Sequence, residues 1–92
     1  MTHEQNGKEV RFSIKLDRVV RIMEFLSASD NWWHHTEVRK IVCPEFGRAT
    51  VERDFVQLSE MGFVEFDKRN NTVRWISPKR FLKEKDANQN VK

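Results

Sequence analysis

From Leu16 to Met61 the apolar residues of this 92-residue chain recur mostly at helical spacing, and from Phe63 they alternate. That one change of period places the helices first and a hairpin last. Leu16, Val19, Val20, Met23 and Leu26 form one stripe, widened by Ile22 and Phe25, so a first helix is expected to run from Leu16 to about Ala28. Ser29, Asp30 and Asn31 are turn formers and break it. Trp32 and Trp33 are expected as a short extended segment, with one indole in the core and the other partly exposed. Thr36 is the expected N-cap of a second helix with Val38, Ile41 and Val42 on its apolar face. Pro44 cannot continue a helix and biases Cys43 out of helical angles, which limits that helix to about two turns. Phe46 plugs the following turn, and Gly47 caps a third helix whose inner face is Val51, Phe55 and Leu58. Gly62 suits its end.

Phe63, Val64 and Phe66 then read as a strand, Asp67 to Asn71 as a polar turn, and Thr72 to Ile76 as the returning strand, with Val73 and Trp75 on one side. Residues 1–14 are expected as a flexible arm, with a short strand or extended lead-in over Val10 to Ile14. The domain is expected over residues 15–77, with Ser77-Pro78 starting a short terminal segment that carries Phe81 and Leu82, and a disordered tail after Glu84. Phe55 and Leu58 are expected to share one cluster with Leu16, Val20 and Met23.

Composition narrows the class. Hydrophobic residues make up 38%, with seven Phe and three Trp, too many for a disordered chain. No apolar run approaches the roughly 20 residues that span a bilayer, and the polar stretch Met1 to Val10 is no signal-peptide core. The expectation is a cytoplasmic protein without membrane contact. Cys43 is the only cysteine, so no internal disulfide can form. The net charge of +3 is unevenly spread: zero over residues 1–35, −1 over 36–60 and +4 over 61–92. A C-terminal basic surplus attracts phosphate, though one this small carries little alone.

Helix, short helix, turn, helix and hairpin is the order of an α+β winged helix-turn-helix domain, in which the second helix of the motif enters the major groove and the hairpin is the wing. The run Arg48-Ala49-Thr50-Val51-Glu52-Arg53-Asp54-Phe55, followed by Leu58 and Gly62, resembles the signature of DeoR-type winged helix repressors, and more closely the N-terminal domain of WYL-domain transcriptional regulators. The rhythm of Arg18, Ile22 and Leu26 is similar to that family's first helix, and the resemblance covers roughly residues 15 to 76. Where the family has a Gly-aliphatic-Ser turn, this chain has Glu45-Phe46-Gly47. The resemblance implies a sequence-specific regulator of double-stranded DNA, a repressor associated with the nucleoid and acting as a homodimer at an operator.

With about 100° per residue, Ala49, Arg53 and Glu60 fall opposite the core face of the third helix, flanked by Thr50 and Gln57. The candidate DNA contacts are therefore Arg48, Ala49, Thr50, Glu52, Arg53 and Gln57 on this recognition helix, and Lys68, Arg69, Asn70 and Asn71 on the wing. The bland alternative is a solvated face with Arg53 paired to Glu52 or Glu60, and a solubilising turn. Asp54 is expected to be structural, bonding near the first helix. The pair His34-His35 with Cys43 falls short of a four-ligand zinc set. No catalytic residue, metal or cofactor is expected, and the chain does not read as an enzyme. Two rivals stay open: a winged helix used for protein–protein contact, and a DNA-architectural factor such as a recombination directionality protein. For a dimer contact the candidates are the N-terminal arm, helix 1, an exposed Trp and the Phe81-Leu82 segment.

Overall fold

The computed structural model of the chain describes residues 3–78, with side chains from residue 10 onward. It is α+β: three helices and a small antiparallel sheet, in the order α1 (His3–Leu26), β1 (Trp33–His34), α2 (His35–Val42), α3 (Arg48–Glu60), β2 (Val64–Asp67) and β3 (Thr72–Trp75). The strand order is β1-β3-β2. Phe66 faces Val73 and Val64 faces Trp75 across the hairpin, while Trp33 faces Val73 on the other edge. The expected extended segment at Trp33 is thus a third strand. Among the described residues no helix is long and apolar enough to cross a membrane. The expected terminal segment with Phe81 and Leu82, and the tail after Glu84, lie outside the described residues.

The first helix departs from expectation. It begins at His3, not Leu16, so of the flexible or extended lead-in expected over residues 1–14 the described part, 3–14, is helix instead. The alternation of Val10, Phe12 and Ile14 mimics a strand, but a strand needs a neighbour to satisfy its backbone, whereas a helix satisfies its own. The same residues also make i,i+4 pairs, Val10 with Ile14 and Phe12 with Leu16.

The buried cluster comprises Ile22, Met23 and Leu26 of α1, Val38 of α2, Cys43, Val51, Phe55 and Leu58 of α3, and Val64, Val73 and Trp75 of the sheet. Phe55, Leu58 and Met23 join as expected. Leu16, half exposed, and Val20 do not, and Ile22 takes the central place. The reason is the angle at which α1 meets the body. Its contact face turns toward Ile22 and Leu26, and every residue from Val10 to Asp17 is exposed.

The ends of the helices are set by local chemistry. The N-cap of α2 is His34, not Thr36: its Nδ1 accepts from the Thr36 N–H at 3.2 Å, and Glu37 Oε1 accepts from the His34 N–H at 3.1 Å, which completes a capping box. An imidazole nitrogen does here what a hydroxyl was expected to do. At the end of α3, Gly62 has φ +85°, its N–H donates to Ser59 O, and Phe63 N–H donates to Leu58 O, both at 3.0 Å. This paired closure needs a left-handed residue, which glycine supplies without Cβ strain.

Two buried polar groups lie in this body. Asp54 of α3 takes a double hydrogen bond from Arg18 of α1, through Nε to Oδ2 and through Nη2 to Oδ1 at 3.1 Å, with side chains 2% and 8% exposed. That places Asp54 where the sequence reading had it. Hydrogen bonding to Asp54 raises the Arg18 pKa against the opposing effect of burial. His35 is 1% exposed, its ring 5.1 Å from Phe55 in a T-shaped contact and 6.4 Å from Phe66. Neither ring nitrogen has a hydrogen-bond partner. Burial pushes its pKa down, with Arg48 and Arg39 adding to the effect and Glu52 opposing it.

Two outcomes are expected from unfolding measurements. Asp54→Ala strands a buried guanidinium and costs about 3–5 kcal/mol; replacing Arg18 and Asp54 together with apolar residues of similar volume restores much of it, and equal losses in the single and double variants would contradict the pairing. Because His35 is held neutral in the folded protein, its contribution to stability is complete above the ordinary imidazole pKa of 6.5 and is lost as pH falls below it toward the depressed native value. His35→Phe flattens that acid-side decline and is neutral or stabilising at neutral pH, since it removes a polar ring without partners.

Candidate nucleic-acid interface

The turn between α2 and α3 fixes how α3 presents its outer face. As expected, Gly47 is the N-cap of α3, in an extended conformation and with no side-chain cap. The first turn of α3 carries Arg48, Ala49 and Thr50 and no carboxylate. Its leading N–H groups therefore keep their partial positive charge facing outward. Three arginines hold the turn in place. Arg21 donates to Val42 O and to Glu45 Oε2, each at 2.8 Å. Arg39 donates to Phe46 O at 3.2 Å. Arg18 lies 4.6 Å from the centre of the Phe46 ring. Phe46 itself is half-buried against the core, as a plug should be. The sequence reading had not singled out Arg21 or Arg39. Their signal was weak, since each looks like an ordinary surface cation and finds its partner more than one element away or across a turn.

Arg48, Ala49, Arg53 and Gln57 are exposed, and Thr50 and Glu52 are half-buried. The hairpin turn comes up beside them. Lys68 Nζ stands 3.8 Å from Glu52 Oε2, and Arg48 Nη2 donates to Asn71 Oδ1 at 3.3 Å. Between helix and turn lies a groove of about 480 Å³ lined by Ala49, Glu52, Arg53, Val56, Gln57 and Lys68. Of the residues named from the sequence, Ala49, Glu52, Arg53 and Gln57 on the helix and Lys68 on the turn border this groove, whereas Arg48, Thr50, Arg69, Asn70 and Asn71 are not part of its lining. Among the described residues Arg53 has no ion-pair partner; the pairing to Glu52 or Glu60 weighed as an alternative is absent, and Glu52 is engaged by Lys68 instead. Arg69 at the tip is exposed.

Val56 was missed. It follows Ala49 and Arg53 at helical spacing, so the same 100° count that placed those two on the outer face also placed Val56 there.

The hairpin tip is rigid for stated reasons. Asp67 accepts from the Asn70 N–H at 3.2 Å and from Asn70 Nδ2 at 2.8 Å, and these bonds hold its carboxyl below the usual range. Asn71 adopts φ 58°, a left-handed conformation that asparagine tolerates better than most side chains. Its carbonyl accepts from the His35 N–H at 2.7 Å. Asn71 therefore ties the tip to the start of α2 by its backbone and to the start of α3 by its side chain. On the far edge of the sheet, Trp33 packs on Phe25 with ring centres 4.8 Å apart, and Trp32 is 43% exposed under the Arg74 guanidinium, 4.9 Å away. This matches the expected division between the two indoles.

His34, His35 and Cys43 do not converge: the first caps α2, the second is buried beside Phe55, and the thiol is buried with its pKa pushed up by desolvation. Among the described residues no group of three or more His, Cys, Asp or Glu could hold a metal ion. The basic residues Lys79, Arg80, Lys83 and Lys85 lie outside the described residues.

Comparison with protein-family models, with curated proteins and with solved structures finds no match for this chain.

The geometry of Asn71 has a direct consequence. Asn71→Ala is expected to destabilise by about 1–2 kcal/mol, the cost of a left-handed alanine, together with loss of the Arg48 contact. Asn71→Gly removes the conformational cost and retains most of the stability. Chemical denaturation of the two variants checks this, and equal effects would mean that the turn relaxes.

Proposed function

We propose that the chain is a winged helix-turn-helix domain that binds double-stranded DNA at a specific site and regulates transcription as a homodimer, acting as a repressor on the nucleoid of the cytoplasm. The observation that carries this reading is the shared groove. Arg53 on α3 and Lys68 on the hairpin turn border one cleft with Ala49, Val56 and Gln57, and Arg48 at the start of α3 is bonded to Asn71 of the same turn. In this reading α3 is the recognition helix and the β2–β3 hairpin the wing. The resemblance of Thr50 to Leu58 to DeoR-type and WYL-regulator domains supports the same assignment.

Each residue has a physical role in such a complex. The uncapped N-terminus of α3 and Thr50 meet a phosphate, which fixes the register. Arg53, without an ion-pair partner among the described residues, offers its planar fork to guanine O6 and N7. Gln57, exposed one turn further on, reaches adenine or the backbone. Ala49 and Val56 present methyl groups suited to the C5-methyl of thymine. Glu52 holds Lys68 over the groove until phosphate competes for the ammonium group, and Arg69 meets a phosphate or the minor groove. Occupying the site is sufficient for repression, so no chemistry is required of the chain.

The test is selection of bound sequences from a random duplex library, followed by titrations at several salt concentrations. Arg53→Ala is expected to cost roughly 1–3 kcal/mol on the selected site and to relax one base position. Lys68→Ala with Arg69→Ala weakens binding to all duplexes about equally and flattens the slope of log affinity against log salt by up to about two units. Failure to enrich any sequence, with affinity unmoved by these changes, would overturn the DNA reading and favour a protein-binding role for the fold.

A further inference from the structure

From Val10 to Asp17, α1 is left exposed by the described residues. Arg18 is the first residue of α1 beyond residue 10 to be buried. Phe12 is 67% and Leu16 50% exposed. A helical extension of this length is marginal in water on its own, and large apolar residues along it call for cover. The spacing says what shape the cover has. Phe12, Leu16, Val19 and Met23 follow one another at intervals of four, three and four, the seam of a helix that packs against another helix. This seam is itself one wall of an apolar groove of about 340 Å³, lined by Phe12, Leu16, Val19 and Met23 of α1 and by Leu58, Met61 and Phe63, with Lys15, Asp54 and Gln57 also reaching it. Met61, at its rim, is itself 67% exposed.

The geometry points to α1 and this groove as the surface on which two copies of the chain pair, each inserting Phe12 into the groove of the other. This names the interface of the homodimer in the proposed function and rests on that part of the reading, though not on DNA binding. Met23 lies three helical turns from Phe12 on the same seam. An antiparallel pairing of two α1 helices about a two-fold axis beside Asp17 and Arg18 therefore sets Phe12 against Met23 of the second copy, and Leu16 against Val19. One operation covers both the exposed helix and the groove, and does so twice. That self-complementarity is what a closed two-fold interface requires. The parts named are large enough: Phe12, Leu16, Val19, Met61 and Phe63 with the stem of Lys15, counted on both copies, bring the buried area to the order of 1,000 Å², where specific association begins. Val10 and Ile14 lie on the opposite side of the helix and take no part in the pairing.

The full chain in the micromolar range, examined by sedimentation equilibrium without DNA, is expected to be a dimer. Phe12→Glu raises its dissociation constant by roughly 30-fold or more, the effect of losing a central anchor. Met61→Glu on the opposite wall acts in the same direction. Ile14→Glu, at a residue also exposed but on the other side of α1, leaves the dimer intact. Thermal melts of the three variants confirm that each is folded. As a measurement independent of stability, Phe12→Cys and Met61→Cys chains are mixed and oxidised, and a disulfide between the two kinds of chain is expected. A monomeric wild type would overturn both the homodimer and this surface. A dimer untouched by Phe12→Glu, or broken by Ile14→Glu, would overturn the surface alone, and either result leaves the DNA titrations to decide the rest.

Discussion

The buried pair of Arg18 and Asp54 is the joint on which the arrangement depends. It fastens α1 to α3 in the interior, two-pronged, and so fixes both the distance and the rotation between the helices. A hydrophobic contact would tolerate sliding by a fraction of a turn; a carboxylate facing a guanidinium fork does not. The same Arg18 also lies over Phe46, so the α2–α3 turn is set by the group that sets α3. Buried charges of this kind add little net stability and much penalty for error, which makes the pair a selector of one packing rather than a source of strength.

Around that joint the core is small and aromatic. Phe55 meets both His35 and Phe66, so α3, the start of α2 and the hairpin touch through rings at one point. The hairpin is then held twice more, through the His35 N–H to Asn71 O and through Arg48 to the Asn71 amide oxygen. A hairpin of four-residue strands is not stable alone. Here its position relative to α3 is determined by three separate contacts, and the groove between them is correspondingly well defined. A rigid groove suits recognition of a stiff partner, because little ordering entropy is lost on binding.

The polarity of the molecule follows from the same layout. The outer face of α3 and the hairpin tip gather cations, with Glu52 as the one acidic group on the groove wall. The apolar surface lies at the opposite end of α3, where Met61 and Phe63 approach α1. Charge and apolar exposure are thus separated along one helix. The two grooves meet at Gln57, which lines both.

Periodicity alone determined much of this. Val51, Phe55 and Leu58 had to face inward, Pro44 had to end α2, and Gly62 had to close α3, because each rests on a local rule of spacing or backbone angle. The outward placement of Ala49, Arg53 and Gln57 followed from the same count, and with it half of the groove. The role of Asp54 was legible through its place on the inner side of α3. What the chain could not disclose was whatever depends on an approach between distant segments. The alternating run at Val10 to Ile14 fits a strand or a helix equally well, and only the lack of a neighbouring strand makes it helix. Whether Leu16 or Ile22 faced the core depended on the angle of α1, which the Arg18–Asp54 pair sets. Thr36 and His34 are both able to cap α2, and the backbone path after β1 chose the imidazole. Val56 shares the outer face with Ala49 and Arg53 by the same count, but its part in the groove depends on where the hairpin lies. The groove itself belongs to the tertiary structure alone, since helix and turn meet across it only after Asn71 has been bonded from both sides.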